Sequence, residues 1–151
     1  MSTEKPKCVI FDIDGTLADI GHRVHYLEEN PKNWDKFFSE EEVMRDEPKE
    51  AIVQILVTFF RAGHTVVLCT GRMAKHLPVT KQWLEKHEIP FHRIYSRSDG
   101  DFRPDNEVKQ DLLYEILKEF NILFVVDDRD RVVEMWRRNG ITCLQCQPGD
   151  Y

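Results

Sequence analysis

The sequence predicts an α/β fold in which a parallel sheet is flanked by helices. Short apolar runs, typical of buried strands, alternate with longer amphipathic segments that have the period of helices. Apolar strands joined by helical crossovers form parallel sheets that are covered on both faces. The chain has 151 residues, 41% hydrophobic and 32% charged, which fits one globular domain. We therefore expect a single domain over residues 1–151.

The first half of the chain contributes two strands and a helix. The apolar run at 7–11 predicts a short buried strand, and His-Thr-Val-Val-Leu-Cys at 64–69 predicts a second. Between them a helix opens at Pro48, a residue favoured in the first turn, and stops at Gly63. Its apolar residues recur with a helical period on one face: Ala51, Ile52, Ile55, Leu56, Phe59 and Phe60.

The second half continues the alternation. Helices are predicted at 77–87, at 106–120 and at 131–138, where Asn139-Gly140 is a strong stop. Brief strands are predicted at 94–95, 122–126 and 141–144. The helix at 106–120 carries one apolar stripe, formed by Val108, Leu112, Ile116 and Phe120.

Residues 18–47 interrupt this alternation, and we expect them to form a small cap-like insertion. The segment contains a short predicted helix within 33–38 and an acid-rich patch at 40–47, which is typical of a solvated face. It is too short for a full cap domain. The site beneath it is therefore expected to be an open crevice.

Composition limits the classes of function. The net charge of −6 argues against sequence-independent binding along nucleic acid, which needs a basic surface, but allows a local site for one phosphate. No apolar run approaches the roughly 20 residues of a membrane span, and the N-terminus lacks a signal peptide's apolar region. We expect a cytoplasmic protein with no membrane partner and reduced cysteines. Cys143 and Cys146 have metal-pair spacing but no second pair, so we interpret them as small residues of the last strand and its exit.

Polar residues follow three predicted strands at the points where these end. Ligands of a parallel sheet bind beyond the carboxyl ends of its strands, so these residues are candidates for one shared site. They are Asp12 and Asp14 after the first strand, Thr70, Gly71 and Arg72 after the second, and Asp127 and Asp128 after the strand at 122–126.

The acidic residues among them predict a cation. Asp12 and Asp14 are two apart on extended chain, so their side chains point the same way. With Asp127 and Asp128 nearby, four carboxylates repel one another by several kcal/mol unless a cation lies among them or some are protonated. Oxygen ligands without a cluster of His or Cys favour Mg²⁺ over zinc.

Each of these features also has a structural explanation. D-I-D-G and Thr70-Gly71 are compatible with plain turns, and Asp105 is placed to cap the helix that follows it. Lys109 shares a helical face with Asp105 and is compatible with an exposed ion pair. Asp130 is better placed than the acidic pair to cap the helix at 131–138, which leaves Asp127 and Asp128 without a structural role. The joint occurrence of these residues favours a functional site.

The site is suited to a phosphate group. Thr70, Lys109 and the turn amides are donors of the kind that hold phosphate oxygens. The sequence has neither a G-x-x-x-x-G-K-[ST] loop nor a G-x-G-x-x-G motif. Without a triphosphate cradle, we expect an aspartate to accept the phosphoryl group itself.

The sequence contains, in this order, D-I-D-G-T-L, T-G-R, Lys109 and V-V-D-D. This is the order of the four motifs of the haloacid dehalogenase superfamily, which the sequence resembles. Nearly the whole chain is similar to the 3′-phosphatase domain of phage-type polynucleotide kinase-phosphatases. That similarity lies in Arg23 and Tyr26, in Arg103-Pro104-Asp105, in D-D-R with V-V-E-M-W-R-R, and in the ending G-D-Y. The resemblance implies a Rossmann-like sheet of the haloacid dehalogenase type with a minimal cap insertion.

The resemblance also implies residue roles. Asp12 is expected to be the nucleophile, and Asp14 the general acid and then the base, with a pKa raised by crowding. Thr70 and Lys109 are expected to hold the phosphoryl oxygens. Mg²⁺ is expected to bind Asp12, the Asp14 carbonyl and the acidic pair Asp127 and Asp128, and the substrate to bind Arg23, Gly71, Arg72 and Asp105.

The function implied is a Mg²⁺-dependent phosphomonoesterase that removes 3′-phosphates from polynucleotides or nucleotides. Local positive charge for the substrate is expected from Arg23, Arg72, Arg97, Arg103 and Lys109. The resemblance further implies an intracellular phage or bacterial protein that works alone or beside a separate polynucleotide kinase or ligase.

Three alternatives remain open. A small-molecule nucleotidase acting on 5′-mononucleotides would use the same chemistry. A phospho-receiver domain also uses an acceptor aspartate, Mg²⁺, Thr and Lys, but there the metal-binding acids precede the acceptor, an order that this chain does not have. A catalytically idle binding module is disfavoured because every expected catalytic residue type is present.

Overall fold

The computed structural model describes residues 4–151, and a five-stranded parallel sheet lies at its centre. The strand order is β5-β4-β1-β6-β7, so the first strand is the central one. The strands are β1 (Lys7–Phe11), β4 (Thr65–Met73), β5 (Arg93–Arg97), β6 (Asn121–Asp127) and β7 (Cys143–Gln145). The predicted fold class is confirmed.

Helices cover both faces of this sheet. The longer ones are α3 (Glu50–Arg61), α4 (Leu77–Lys86), α5 (Asp105–Glu119) and α6 (Asp130–Arg138). Alternate residues of β1 point to opposite faces, so Cys8 and Ile10 pack on the α5 and α6 side, whereas Val9 and Phe11 pack on the α3 and α4 side. All four are inaccessible to solvent, which explains why the strand is apolar throughout.

The register of the strands brings their carboxyl ends to one edge. Phe11 pairs with Leu68 on one side and with Val126 on the other. The main-chain N–H of Asp12 then donates to the Val126 carbonyl at 3.1 Å. The residues that follow β1 and β6, and the last residues of β4, therefore meet at a single rim.

The segment predicted to be an insertion, for which we keep that name, consists of short elements. An antiparallel pair closes it, in which β2 (Ala18–Asp19) pairs with β3 (Glu47–Pro48). Between these strands lie a 3₁₀ segment (Gly21–Leu27), α1 (Trp34–Phe37) and α2 (Glu40–Met44). The insertion is anchored to α4, where the Trp83 indole donates to the Asp46 carbonyl at 2.9 Å.

Several local expectations were wrong. Thr70-Gly71 is not a turn but the continuation of β4, and Pro48 does not open a helix because it lies in β3. The acid-rich patch is not wholly a solvated face, since Glu42 and Asp46 are buried. The division into one domain with a cap-like insertion stays a prediction. In the part of the chain that the structure describes, no helix is long and apolar enough to cross a membrane.

Candidate active site

Three buried carboxylates form the centre of the site. Asp12 follows β1, Asp127 ends β6 and Asp128 follows it, so the aligned strand ends bring them together. One oxygen atom of each lies within 4.8 Å of the others. Each residue is at most 6% exposed, so water does little to screen their mutual repulsion.

Lys109 supplies the positive charge of this cluster. It projects from the second turn of α5, and its Nζ lies 2.9 Å from both Asp12 Oδ1 and Asp127 Oδ2. Burial alone would lower the pKa of the lysine, but the two carboxylates outweigh it and raise that pKa well above its usual value. The structural reading of Lys109 as an exposed partner of Asp105 was therefore wrong.

One lysine leaves the cluster with excess negative charge. Burial raises the pKa of Asp12 well above its usual value, and Asp127 and Asp128 raise it further, while Lys109 opposes them. Burial likewise raises the pKa of Asp128. Three carboxylates with one ammonium group and no cysteine or histidine among them fit a hard divalent cation.

The two acids of the pair differ in their free lone pairs. Asp127 accepts from Lys109, from the Trp136 indole at 3.2 Å and from the main-chain N–H of Asp128 at 2.8 Å. Asp128 accepts only longer bonds among the side-chain contacts described, from Thr16 at 3.2 Å and from Gln147 at 3.3 Å. Asp128 is thus the better placed of the two to bind a cation directly.

Asp14 lies in different surroundings from the three clustered acids. Its Oδ1 accepts from Arg72 at 2.5 Å and from Arg23 at 2.8 Å. Burial disfavours its charged form, but the two guanidinium groups outweigh burial and hold its pKa well below the usual range. The expectations of a raised pKa and of a fourth carboxylate in the metal cluster were wrong, because these cations neutralise Asp14.

Arg23 is held by the insertion rather than presented to solvent. It is inaccessible, and its Nε and Nη2 each donate to a different oxygen of Asp46 at 2.8 Å. Its guanidinium also lies 4.3 Å from the centre of the Phe37 ring. Sequence reasoning missed Asp46 because it stands among other acidic residues and because its partner is 23 positions away.

Asp105 forms a second ion-pair group beside the site. It begins α5 instead of capping it, and it contacts Arg97 at 2.5 Å and Arg129 at 2.9 Å. A Cβ atom on Gly71 would lie only 2.6 Å from its carboxylate. Gly71 and Asp105 are therefore adjacent, and their assignment to substrate binding stays a prediction.

The structure corrects the expected source of positive charge. Thr70 is buried, and its hydroxyl accepts the main-chain N–H of Arg72 at 3.1 Å. The five expected cations are all paired with carboxylates, and they are Arg23, Arg72, Arg97, Arg103 and Lys109. A phosphate would thus have to compete with acidic side chains for these donors.

Known proteins resemble the chain over nearly its full length. The family model described as "Polynucleotide kinase PNKP phosphatase domain" matches residues 6–151. A "Putative bifunctional polynucleotide kinase/RNA ligase" of Autographa californica nuclear polyhedrosis virus is 27% identical over 136 residues, which are 87% of this chain and 18% of that protein.

Several solved structures have the same fold as this chain. A chain of the Pnkp1/Rnl/Hen1 RNA repair complex superposes with a TM-score of 0.82 at 29% identity, over 99% of this chain and 45% of that one. Another structure of the Pnkp1/Rnl/Hen1 complex gives 0.83 at 30% identity, over 99% and 49%. A class C acid phosphatase from Bacillus anthracis shares the fold, with a TM-score of 0.71 at 14% identity over 99% and 69%. The chain spans less than half of the repair-complex chains and 18% of the viral protein.

Proposed function

Because this chain belongs to the family of polynucleotide kinase PNKP phosphatase domains, we propose that it removes 3′-phosphates from polynucleotides or nucleotides with the aid of Mg²⁺. Membership of this family identifies the chain as a phosphoric monoester hydrolase. Its preference for 3′-phosphates and its use of Mg²⁺ are the parts that we propose. The observation that carries it is the buried cluster of Asp12, Asp127 and Asp128 held by Lys109.

Asp12 is the proposed nucleophile. Its carboxylate oxygen forms a bond to phosphorus while the bond from phosphorus to the sugar oxygen breaks, which leaves an aspartyl-phosphate and an alkoxide. Water then attacks the phosphorus, and cleavage of the acyl-phosphate bond restores Asp12 and releases phosphate. Burial and the acidic pair raise the pKa of Asp12, whereas Lys109 at 2.9 Å, together with a bound cation, would favour the ionised carboxylate that the first step needs.

Asp14 is the proposed general acid and base. It gives a proton to the leaving alkoxide and takes one from the attacking water, so it returns to its starting state. Arg72 and Arg23 keep it ionised in the structure. We propose that the substrate phosphate draws one or both guanidinium groups towards itself, which weakens their hold on Asp14 and lets it accept a proton.

The cation belongs to the same proposal. Asp12, Asp128 and the main-chain carbonyl of Asp14 would hold it, and Asp127 would orient Lys109. When bound, Mg²⁺ neutralises charge on the phosphoryl oxygens. Thr70 at the end of β4 and Lys109 would complete the donors around the phosphoryl group.

A substrate panel tests the proposal. Phosphate release in Mg²⁺ is compared between a 3′-phosphorylated oligonucleotide, free 3′-mononucleotides and free 5′-mononucleotides, with Asp12→Asn as the inactive control. We expect release from the first two. Turnover of 5′-mononucleotides alone would favour the small-molecule nucleotidase, and release that continues unchanged in excess chelator would remove Mg²⁺ from the scheme.

We also propose a setting for this activity. The chains that this protein resembles belong to an RNA repair complex and to a predicted kinase/ligase. A phosphatase that clears a 3′-phosphate produces the 3′-hydroxyl that a ligase requires. We therefore propose that the chain acts inside the cell on nucleic-acid ends together with kinase and ligase activities.

A further inference from the structure

Three aromatic rings form a continuous stack beside the site, here called the aromatic wall and consisting of Trp34, Phe38 and His76. The ring planes of Trp34 and Phe38 lie within 13° of each other, and those of Phe38 and His76 within 22° at a centroid distance of 4.7 Å. The first two rings belong to the insertion and the third to the segment after β4. The wall therefore joins the insertion to the sheet.

The middle ring of the wall, Phe38, lies near the ion pairs of Asp14. The Arg23 guanidinium, which contacts Asp14, lies 5.8 Å from the centre of the Phe38 ring. On the other side, Arg72 donates to the Thr80 hydroxyl, which donates to the His76 carbonyl at 2.7 Å. Both arginines that bind Asp14 therefore also connect to residues of the wall, which places the wall beside the ion pairs of Asp14.

The Trp34 end of the wall is open to solvent. Trp34 is 51% exposed, whereas Phe37, which it contacts edge to face, is buried. The exposed side chain of Lys32 places its Nζ 5.8 Å from the centre of the Trp34 ring, and Lys36 is exposed on the same short helix. About half of Trp34 thus stays accessible in spite of its contacts with Phe37 and Phe38.

We propose that the aromatic wall stacks the nucleobase of the substrate's 3′-terminal nucleotide, with Trp34 as the main platform. This inference rests on the proposed function, since it supplies the base-binding part of that same site. Aromatic rings beside lysines are the combination that binds single-stranded nucleic acid, because rings stack the bases and cations meet the backbone phosphates. The wall thereby favours a nucleic-acid end over a base-free phosphate ester.

Fluorescence tests the stacking without any need for turnover. Of the three tryptophans, Trp83 and Trp136 are fully buried and Trp34 is the exposed one. In the Asp12→Asn variant with Mg²⁺, a nucleoside 3′-monophosphate is expected to quench the emission of Trp34, whereas glycerol phosphate and inorganic phosphate leave it unchanged. The additional replacement Trp34→Phe is expected to abolish the base-dependent quenching. Equal quenching by all three ligands, or none by the nucleotide, would overturn the proposal.

Kinetics supply the second test. Trp34→Ala is expected to raise KM for a 3′-phosphorylated oligonucleotide about five- to a hundred-fold, the range for loss of one stacked base, with KM for glycerol phosphate unchanged. Trp34→Leu keeps an apolar side chain without the ring and is expected to show the same rise in KM. Tyr114→Ala is the control, because it removes a comparably exposed aromatic side chain on α5, and it is expected to behave as wild type.

The outcomes separate the two proposals. Equal changes in KM on both substrates would indicate a purely structural role for Trp34. Unchanged KM on both would fit a surface for a protein partner, and either result defeats the stacking proposal. If the wild-type chain released no phosphate from any 3′ end while base-dependent quenching persisted, the proposed function would fail and the stacking site would stand.

Discussion

The guanidinium of Arg72 donates two hydrogen bonds to the carboxylate of Asp14. Nη2 lies 2.5 Å from Oδ1, and Nε lies 3.1 Å from Oδ2. Arg72 is itself buried and is fixed on its far side by the Thr80 hydroxyl at 2.9 Å. This pair has the bidentate geometry that makes Arg–carboxylate contacts strong. The protonation of Asp14 therefore depends on whether Arg72, together with Arg23, stays in place.

Replacement of Asp14 by Asn tests its proposed role as a proton donor. We expect turnover of a nucleoside 3′-monophosphate, which has a poor alkoxide leaving group, to fall about 10²–10⁴-fold. Turnover of p-nitrophenyl phosphate should fall far less, since its leaving group needs no proton. Steady-state kcat on the two substrates gives the answer, and equal losses would contradict the acid role.

Replacement of Asp46 by Asn is expected to destabilise the fold. The Asp46 side chain is fully buried, accepts two hydrogen bonds from Arg23 and lies 2.7 Å from Nε2 of His22. Removal of its charge leaves the buried Arg23 without its bidentate partner, which costs roughly 3–5 kcal/mol for a buried ion pair. Urea unfolding measures this loss.

A matched control exists within the insertion. Asp35→Asn changes an exposed acid on α1 and is expected to alter the free energy of unfolding by no more than about 0.5 kcal/mol. The double variant Arg23→Gln with Asp46→Asn should recover part of the loss, because it also removes the buried guanidinium that has lost its bidentate partner. A loss for Asp46→Asn no larger than the control's would refute the structural importance of this pair.

The sequence was sufficient to predict those strands and helices that a local pattern of residues determines. β1 occupies the predicted residues, and α5 begins and ends within one residue of the prediction, because a continuous apolar run and a helical stripe are both local features. The same reasoning failed in the insertion. Its two-residue strands and short helices are too brief to show a period, so β2, β3 and α2 went unnoticed.

The charge partners of the site's carboxylates could not be predicted from the spacing of residues in the sequence. The prediction for Asp14 considered only the neighbouring acids, whereas Arg23 and Arg72 approach it from 9 and 58 positions away. Lys109 joins Asp12 across 97 positions. Contacts of this kind depend on the packed fold. The motif order of a known family was therefore more informative about the site than residue spacing alone.

Native cysteines are expected to resist alkylation. Burial raises the pKa of Cys8, Cys69 and Cys143 to about 12, and it raises that of the half-buried Cys146 less. Since the thiolate is the reactive form, iodoacetamide at mildly alkaline pH should modify Cys146 first and slowly. Mass spectrometry after a short timed reaction should show at most one adduct, and four after unfolding. Rapid modification of Cys143 in the native protein would contradict its burial in β7.

Replacement of Lys109 by Met tests whether the acidic cluster binds a cation. Without the ammonium group, Asp12, Asp127 and Asp128 repel one another in a buried site, so we expect the variant to lose roughly 3–5 kcal/mol in chelator. Mg²⁺ should then raise its Tm by more than it raises that of the wild type, because the cation supplies the missing charge. Turnover should fall about 10²–10³-fold even with Mg²⁺, through loss of a donor to the phosphoryl group.

Thermal unfolding with and without Mg²⁺ measures that difference, and Lys118→Met provides the control, because it removes an exposed lysine from the same helix. The control should keep the wild-type response to Mg²⁺, since its only described carboxylate partner is the exposed Glu115. If Mg²⁺ left the Tm of both the wild type and Lys109→Met unchanged, the three carboxylates would not be a cation site. The excess charge at the carboxyl end of β6 would then have to be balanced by protons alone.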